Sequence, residues 1–284
     1  MPHSGIPFSK AHGLGNDFLL VEQRSLGECL PEVLAQRMCD RHTGAGADGL
    51  VVLGPSSLAD ASFRIFNADG SEAGLSGNAL RCAAASLLSR NAEPAQRIVL
   101  ETRVGVREMF FLGKQENEWI LRAEIGRPSF AAADVPFRPP QPVSEPITNY
   151  PLPVGDTTVQ ATVLSMGNPQ CILLVEDFES LDWMGLGAEL ERYAYFPDRA
   201  NIGFVRAVSQ DRIEARFWER GAGHTLASGT GSCACAVATN LARKTGRRVR
   251  VSLERGEMEV NWRQDGMVEL TGPAVLTVSG TFFL

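Results

Sequence analysis

Short apolar runs recur along the whole chain, and turn-forming residues such as Gly, Asp and Asn separate them. Runs of this kind, rich in Val, Ile, Phe and Leu, are typical of β-strands. The pattern predicts strands at residues 18–21, 50–53, 63–66, 98–101, 104–111, 119–123, 172–175, 202–205, 213–218, 249–253, 257–262 and 268–270.

Two segments carry a different pattern, in which Ala, Cys and Leu dominate and neither Gly nor Pro occurs. They are residues 79–88 and 233–241. Small apolar residues on every face predict a helix that is packed on all sides. Cys82 and Cys233 lie within these segments, where a free cysteine packs as a small hydrophobic residue.

A proline-rich stretch separates the two helices. Eight of the sixteen prolines lie between Pro128 and Pro153. Proline lacks a backbone donor and fixes φ, so the stretch is expected to form a connector rather than a helix or a central strand. It divides the chain into an N-terminal half, residues 1–127, and a C-terminal half, residues 128–274.

The two halves repeat two motifs at the same spacing. Asn16 and Asn168 each follow a glycine and precede an apolar run, and they lie 152 positions apart. Ser76 and Ser228 each precede one of the predicted helices and also lie 152 positions apart. Either match alone could be a common turn or helix start, but the shared offset favours duplication. We therefore expect an α/β (α+β) fold of two similar halves, each a mixed β-sheet or barrel wrapped around a central helix, with the active site in the cleft between them.

The composition fits a globular protein and limits the classes of partner that it could bind. The chain has 284 residues, of which 44% are hydrophobic and 21% charged, and its formal net charge is −6. This balance argues against nucleic acid as a partner, and the basic run at 243–250 is expected to be a solvated helix end. The sequence shows neither a signal-peptide pattern nor an apolar run of membrane-spanning length. We expect a cytoplasmic protein that acts on small molecules.

The six cysteines show no paired CxxC spacing. A disulfide framework or a zinc site is therefore not expected, and the thiols are predicted to be reduced.

The repeated motif favours a ligand that carries a carboxylate. A helix start offers unpaired N–H groups and partial positive charge, and Gly77 and Gly229 would let a ligand approach the backbone closely. On this hypothesis Ser76 and Ser228 face the ligand. The alternative is that each serine simply caps its helix.

Polar residues stand nine positions before each serine. Asn67 precedes Ser76, and Glu219 precedes Ser228 with Arg220 beside it. Asn, Glu and Arg together suit the ammonium and carboxylate groups of an amino acid. The alternative is a plain turn at 67–70 and an exposed ion pair between Glu219 and Arg220.

Seven sequence strings, in this order and spacing, resemble the diaminopimelate epimerase family. They are HGLGNDF at 12–18, FNADGSEA at 66–73, GNALRC at 77–82, GNP at 167–169, NIGF at 201–204, ERG at 219–221 and GTG at 229–231. The resemblance implies two similar α/β halves, a homodimer, and no pyridoxal phosphate or metal. It also implies a tail, residues 275–284, that returns to the first half.

The activity that the resemblance implies is the inversion of one α-carbon of L,L-diaminopimelate to the meso form, on the route to lysine and peptidoglycan. The fixed end of the substrate would be held by Asn16, Asn67, Asn168, Asn201, Glu219 and Arg220. The carboxylate of the reacting end would lie at the two helix starts, formed by Gly77, Asn78, Gly229 and Thr230.

The chain departs from the family pattern at the two catalytic bases. The family has cysteines there, whereas this chain has Ser76 and Ser228. A thiol titrates near pH 8.5, and a hydroxyl is a far weaker acid, so we expect the replacement to cost most of the rate. Two lesser departures are Gln170, where the family commonly has histidine, and His224, where it has glutamate.

Three explanations of the serines remain open. They could be engineered so that substrate binds without turnover. They could belong to a divergent homologue in which a base such as His224 activates Ser228. They could also mark a relative that has turned to dehydration or to binding alone. The alternatives to an epimerase are thus a lyase or isomerase acting on another amino acid, and a non-catalytic amino-acid-binding protein.

Overall fold

The computed structural model describes residues 5–141, 143–155 and 157–284. Its backbone divides into two units, Met1–Ala123 with Thr271–Leu284, and Glu124–Leu270. From the sequence, the proline-rich stretch predicts the division at 127/128, and the resemblance implies a returning tail from residue 275. One proline of that stretch, Pro142, lies outside the described residues.

The first unit contains strands of a mixed sheet and two α-helices. In chain order its elements are β1 (Gly5–Gly13), β2 (Asn16–Glu22), α1 (Pro31–Cys39), β3 (Gly49–Gly54), β4 (Ala61–Asn67), β5 (Glu72–Ala73), α2 (Gly77–Leu88), β6 (Arg97–Thr102), β7 (Gly105–Gln115) and the start of β8 (Glu118–Gly126).

The second unit has the same kinds of element. They are β9 (Ile147–Val154), β10 (Thr157–Ser165), β11 (Pro169–Leu174), α3 (Trp183–Glu191), β12 (Asn201–Ser209), β13 (Arg212–Glu219), β14 (Gly223–Thr225), α4 (Gly229–Leu241), β15 (Arg248–Leu253), β16 (Gly256–Trp262) and the start of β17 (Val268–Phe283).

Strand directions repeat between the units in the same order. In the first unit β1 is antiparallel to β2, β2 is parallel to β3, β3 and β4 are antiparallel, and β4 is parallel to β6. In the second unit β10, β11, β12, β13 and β15 are paired in the same sequence of directions. The helices also occupy equivalent places in the two units, α1 with α3 and α2 with α4. This repeated topology supports the duplication inferred from the sequence.

Each unit is built around one helix, as the sequence predicts. Helix α2 packs against β1, β2, β3, β6 and β7, and α4 packs against strands β10 to β13 and against β15 and β16. The mixed α+β class with a central helix in each unit is therefore confirmed. A second layer of core lies beneath α1 in the first unit, where Leu34, Ala35 and Met38 are buried among strand residues. Among the described residues, no helix combines the length and the apolar character needed to cross a membrane.

All twelve predicted strands are present. The prediction that the whole proline-rich stretch is a connector is wrong, because a strand forms within it. Strand β9 lies within the proline-rich stretch and pairs with β10 in antiparallel register. Pro151 and Pro153 are two positions apart, so both missing N–H groups fall on the same side of the strand. One side of β9 thus keeps its donors, and a strand forms there despite its prolines.

Arg81 secures the start of α2 to the returning strand β17. Its side chain is almost fully buried, with 1% of the residue exposed. The Nε atom donates to the Pro273 carbonyl at 3.2 Å, and a terminal nitrogen donates to Asn78 Oδ1. A buried guanidinium with two acceptors is costly to remove, because both acceptors would lose their donor.

We predict that Arg81→Met lowers the free energy of unfolding by about 2–4 kcal/mol, since it leaves buried acceptors unpaired. Urea unfolding followed by circular dichroism measures this loss. The control is Arg90→Met, which removes a half-exposed arginine paired with Glu22 and should cost less than about 1 kcal/mol. Equal losses in the two variants would contradict the prediction.

Candidate active site

In each unit, the Gly-Asn turn lies against the start of the central helix. Asn78 Nδ2 donates to Asn16 Oδ1 at 3.0 Å, across 62 positions of sequence. Asn168 Nδ2 donates to Thr230 Oγ1 at 3.4 Å, also across 62 positions. The two repeated motifs therefore come together within each unit by equivalent contacts.

Both serines cap their helices. Ser76 Oγ accepts from the Ala79 amide at 3.3 Å, and Ser228 Oγ accepts from the Gly231 amide at 3.1 Å. Each serine is thus an N-cap, and the cap leaves the first two amides of each helix without a partner inside the helix. Those amides belong to Gly77, Asn78, Gly229 and Thr230.

A charged network holds Asn16. Asp48 accepts from Asn16 Nδ2 at 2.7 Å, and Arg41 joins Asp48 to Asp17 at 2.7 and 2.8 Å. Lys10 Nζ lies 2.9 Å from Asp17 Oδ2. Burial alone would raise the pKa of Asp17, but hydrogen bonds and charge from Arg41 and Lys10 outweigh it and lower the pKa. The network thus keeps the Asp17 carboxylate ionised, and the hydrogen bond from Asn16 to Asp48 ties the Asn16 side chain to it.

Asn168 is held by a neutral side chain instead. Gln170 has 0% of its surface exposed. Its Nε2 donates to Asn168 Oδ1 at 2.9 Å and to Thr230 Oγ1 at 3.3 Å. Gln170 therefore positions both partners of the turn–helix contact in the second unit, without a group that titrates in the neutral range.

Ser228 lies beside a carboxylate. Its Oγ donates to Glu219 Oε1 at 2.6 Å. Burial raises the pKa of Glu219, and hydrogen bonds from Ser228 and Thr225 oppose that rise. The carboxyl group therefore holds a proton more readily than an exposed glutamate does, and it lies within proton-transfer distance of the Ser228 hydroxyl.

The hypothesis that His224 activates Ser228 is not supported by these contacts. His224 Nε2 lies 2.7 Å from Glu254 Oε1, and its ring packs edge-on against Trp183 with 5.1 Å between centroids. The nearby base is Glu219, which the β13–β14 hairpin brings back toward the helix start. A spacing of four residues suggested His224 because the hairpin is not visible in the sequence.

Asn201 and Arg220 meet through the backbone. Asn201 Oδ1 accepts from the Arg220 amide at 2.9 Å, and Asn201 Nδ2 donates to the Pro169 carbonyl at 3.2 Å. The Arg220 guanidinium donates to the Asp198 carbonyl at 2.9 Å. Glu219 and Arg220 thus have separate partners, which differs from the exposed ion pair considered above.

Asn67 lies at the end of β4, and its side chain belongs to a turn. Its Nδ2 donates to Ser71 Oγ at 2.9 Å, and its carbonyl accepts from the Gly70 amide. The turn alternative is therefore correct for the backbone at 67–70. Asn67 is exposed, and among the described residues no hydrogen bond joins its side chain to Asn16 or Asn78.

All six cysteines are free thiols. Burial raises the pKa of Cys82 and of Cys171 to about 12, as expected for thiols that pack as small hydrophobic groups. Within residues 5–141, 143–155 and 157–284, no three His, Cys, Asp or Glu side chains group as a metal site would require.

The chain matches a known family over most of its length. The sequence model described as Diaminopimelate epimerase covers residues 8–131 and 162–277. A diaminopimelate epimerase of Pelotomaculum thermopropionicum is 42% identical over 278 residues, which are 97% of this chain and 98% of that protein. One of Synechocystis is 39% identical over 278 residues, again 97% of this chain and 98% of the relative.

Solved structures share the fold at low sequence identity. A probable proline racemase from Agrobacterium radiobacter has a TM-score of 0.69 and 16% identity, over 98% of this chain and 93% of that one. A phenazine biosynthesis protein of Bacillus anthracis has a TM-score of 0.69 and 15% identity, over 99% of both chains. These likenesses concern the fold alone.

We predict that Glu219→Gln stabilises the protein at neutral pH and not in acid. The unfolded carboxyl titrates near pH 4.3, and its folded pKa is raised. The contribution of Glu219 to the free energy of unfolding is therefore fully present below about pH 4.3 and is lost as the pH rises through the folded pKa. Glutamine still accepts from Ser228 but carries no charge.

Thermal unfolding of the variant and of the natural sequence, measured from pH 4 to pH 8, tests this. The difference in Tm should grow with pH in favour of the variant. Glu179→Gln, at an exposed position, is the control and should show no such trend. A Tm difference that is constant or shrinks with pH would contradict a raised pKa.

Proposed function

The chain belongs to the diaminopimelate epimerase family, and we propose that it inverts one α-carbon of L,L-diaminopimelate to give the meso form. The observation that carries this proposal is the repeated contact between Gly-Asn turn and helix start, Asn16 with Asn78 and Asn168 with Thr230. A reaction that inverts a carbon needs groups on both of its faces, and a duplicated polar site supplies two related sets of groups.

The helix starts are proposed to bind the carboxylate of the reacting end. The serine caps occupy the third amide of each helix, so the two preceding amides are left to donate to an anion. These are the amides of Gly77, Asn78, Gly229 and Thr230. The other polar residues, Asn16, Asn67, Asn168, Asn201 and Arg220, are proposed to hold the far end of the substrate. Glu219, which the resemblance places with them, is proposed to act at the reacting end through its hydrogen bond with Ser228.

The acid–base step is proposed to use Ser228 and Ser76 on opposite faces. The α-hydrogen leaves as a proton to Ser228 Oγ while the serine proton passes to Glu219, and the electron pair stays on the α-carbon. Ser76 then delivers a proton to the other face and recovers one from water. The contact of 2.6 Å between Ser228 Oγ and Glu219 supports the first transfer.

The remaining features of the proposal follow from the family. The two-base route draws on side chains alone, so we propose that it needs neither pyridoxal phosphate nor a metal. The working form is proposed to be a homodimer in the cytoplasm, and the product to serve the route to lysine and peptidoglycan. Because hydroxyls replace thiols, turnover should be far slower than cysteines would allow.

One observation favours a second candidate. A carboxylate stands beside Ser228, whereas the corresponding position in the first unit is Asn67, which is bonded to Ser71. A single base is enough for elimination, so a lyase acting on a hydroxy amino acid fits this asymmetry. Such a reaction would release a keto acid.

Deuterium wash-in at the α-carbon of diaminopimelate in heavy water tests the proposal. We expect slow exchange in the natural sequence and faster exchange, by at least about 100-fold, in the double variant Ser76→Cys, Ser228→Cys, because a thiol is the stronger acid. Mass spectrometry of the recovered substrate and chromatography of its stereoisomers measure both quantities.

A matched control is Ser89→Cys, which adds a thiol at the opposite end of α2 and should leave the exchange rate unchanged. Absence of exchange in both the natural chain and the double variant would overturn the epimerase proposal. Keto-acid formation without exchange of recovered substrate would replace it with the lyase. Calorimetric binding without either reaction would indicate a binding protein.

A further inference from the structure

A buried carboxylate that is not among the expected site residues lies next to the segment that carries Glu219 and Arg220. Glu191 is the last residue of α3, and only 3% of it is exposed. A carboxylate removed from water is costly unless hydrogen bonds and opposite charge compensate for the lost hydration. The hydrogen-bond and ion-pair partners of Glu191 therefore indicate its role.

Two of its partners flank the Glu219–Arg220 pair in the chain. Glu191 Oε2 accepts from the Trp218 indole Nε1 at 3.0 Å, and Oε1 accepts from the Gly221 amide at 3.0 Å. One carboxylate thus binds the residue just before the pair and the residue just after it. A segment of two residues fastened at both ends has little freedom to change its backbone.

Two further contacts complete the arrangement. Asn201 Oδ1 accepts from the Arg220 amide at 2.9 Å, so the middle of the segment is also held. Arg199 lies 3.4 Å from Glu191 Oε1 and supplies opposite charge. Burial would raise the pKa of Glu191, but the hydrogen bonds from Trp218 and Gly221 and the charges of Arg192 and Arg199 lower it. The group is therefore ionised near neutral pH.

We propose that Glu191 is a positioning residue that fixes the backbone of the Glu219–Arg220 segment, so that Arg220 meets the substrate and Glu219 meets Ser228 in one orientation. The proposal rests on the proposed function for the substrate itself. Within the part of the chain that the structure describes, no hydrogen bond joins the Glu191 carboxylate to Ser76 or Ser228, and it acts through Trp218 and Gly221. Because Glu219 is also held by Ser228, a loss of Glu191 should weaken substrate binding by Arg220 more than it slows the chemical step.

Glu191→Gln tests the proposal, because it keeps the size of the side chain and removes its charge. Glutamine offers one uncharged oxygen to the two donors Trp218 and Gly221, so the Gly221 contact is weakened or lost. Amide exchange at Gly221 is therefore expected to rise by about 10- to 100-fold. Amide hydrogen exchange on the free protein measures this without any substrate. The KM for diaminopimelate should rise about 10-fold, with kcat changed by less than about threefold.

Glu189→Gln is the matched control, since it removes an exposed carboxylate from the same helix and should change neither quantity. Trp218→Phe is the second variant, because it deletes one donor and keeps the carboxylate and its Gly221 contact. It should give a smaller rise in KM than Glu191→Gln, and circular dichroism checks that both variants are folded.

Faster exchange at Gly221 with an unchanged KM would overturn the positioning role and leave Glu191 as a structural group. Unchanged exchange at Gly221 would overturn the proposal directly. If the natural chain neither turns over nor binds diaminopimelate, the proposed function fails, and exchange at Gly221 still decides whether Glu191 orders the segment.

Discussion

Each unit depends on one constraint. The start of its central helix is surrounded by strands, and the amides there must still find hydrogen-bond partners. The first amides of the helix have no hydrogen-bond partner within the helix, and its burial limits the hydrogen bonds that water can make to them. Each unit meets this demand with a serine cap and with the Gly-Asn turn that reaches the second residue of the helix. The amides that remain form a place suited to an anion. The binding chemistry is therefore a consequence of how the helix is buried.

The two units meet this constraint with different side chains. Asn16 is held by Asp48 within a network of charges, whereas Asn168 is held by the neutral Gln170. Ser228 has Glu219 beside it, whereas the equivalent position in the first unit is Asn67. Duplication thus kept the backbone and the turn–helix contact while the groups around them diverged. The two units therefore differ chemically in their side chains, although they share one topology.

Strands and central helices could be read from the sequence because each has a local signature. Apolar runs between turn residues marked the strands, and runs of small residues marked α2 and α4. Strand β1 was missed because polar residues interrupt its apolar positions, and β9 because two prolines argued against it. The repeated offset of 152 positions, which is independent of local pattern, indicated the duplication.

The partners within the candidate site could not be read in this way. Glu219 was identified as a site residue, but its hydrogen bond to Ser228 depends on a hairpin that returns the chain, and His224 was closer in sequence. Glu191 gave no signal, because it is one of two acidic residues in its helix and lies 27 positions from Trp218. Burial and three-dimensional register select such residues, and neither is visible in a single sequence.

The long strand β17 has a consequence for synthesis on the ribosome. It begins in the second unit and ends in the first, where it pairs with β1 from Gly5 to His12. The first unit thus lacks a strand, and Arg81 lacks the Pro273 carbonyl, until residues 271–284 have been translated. The second unit is continuous in sequence and can complete its sheet earlier. Although domains generally fold from the N-terminus as they are made, the half that is synthesised first here cannot complete its sheet until residues 271–284 have been made.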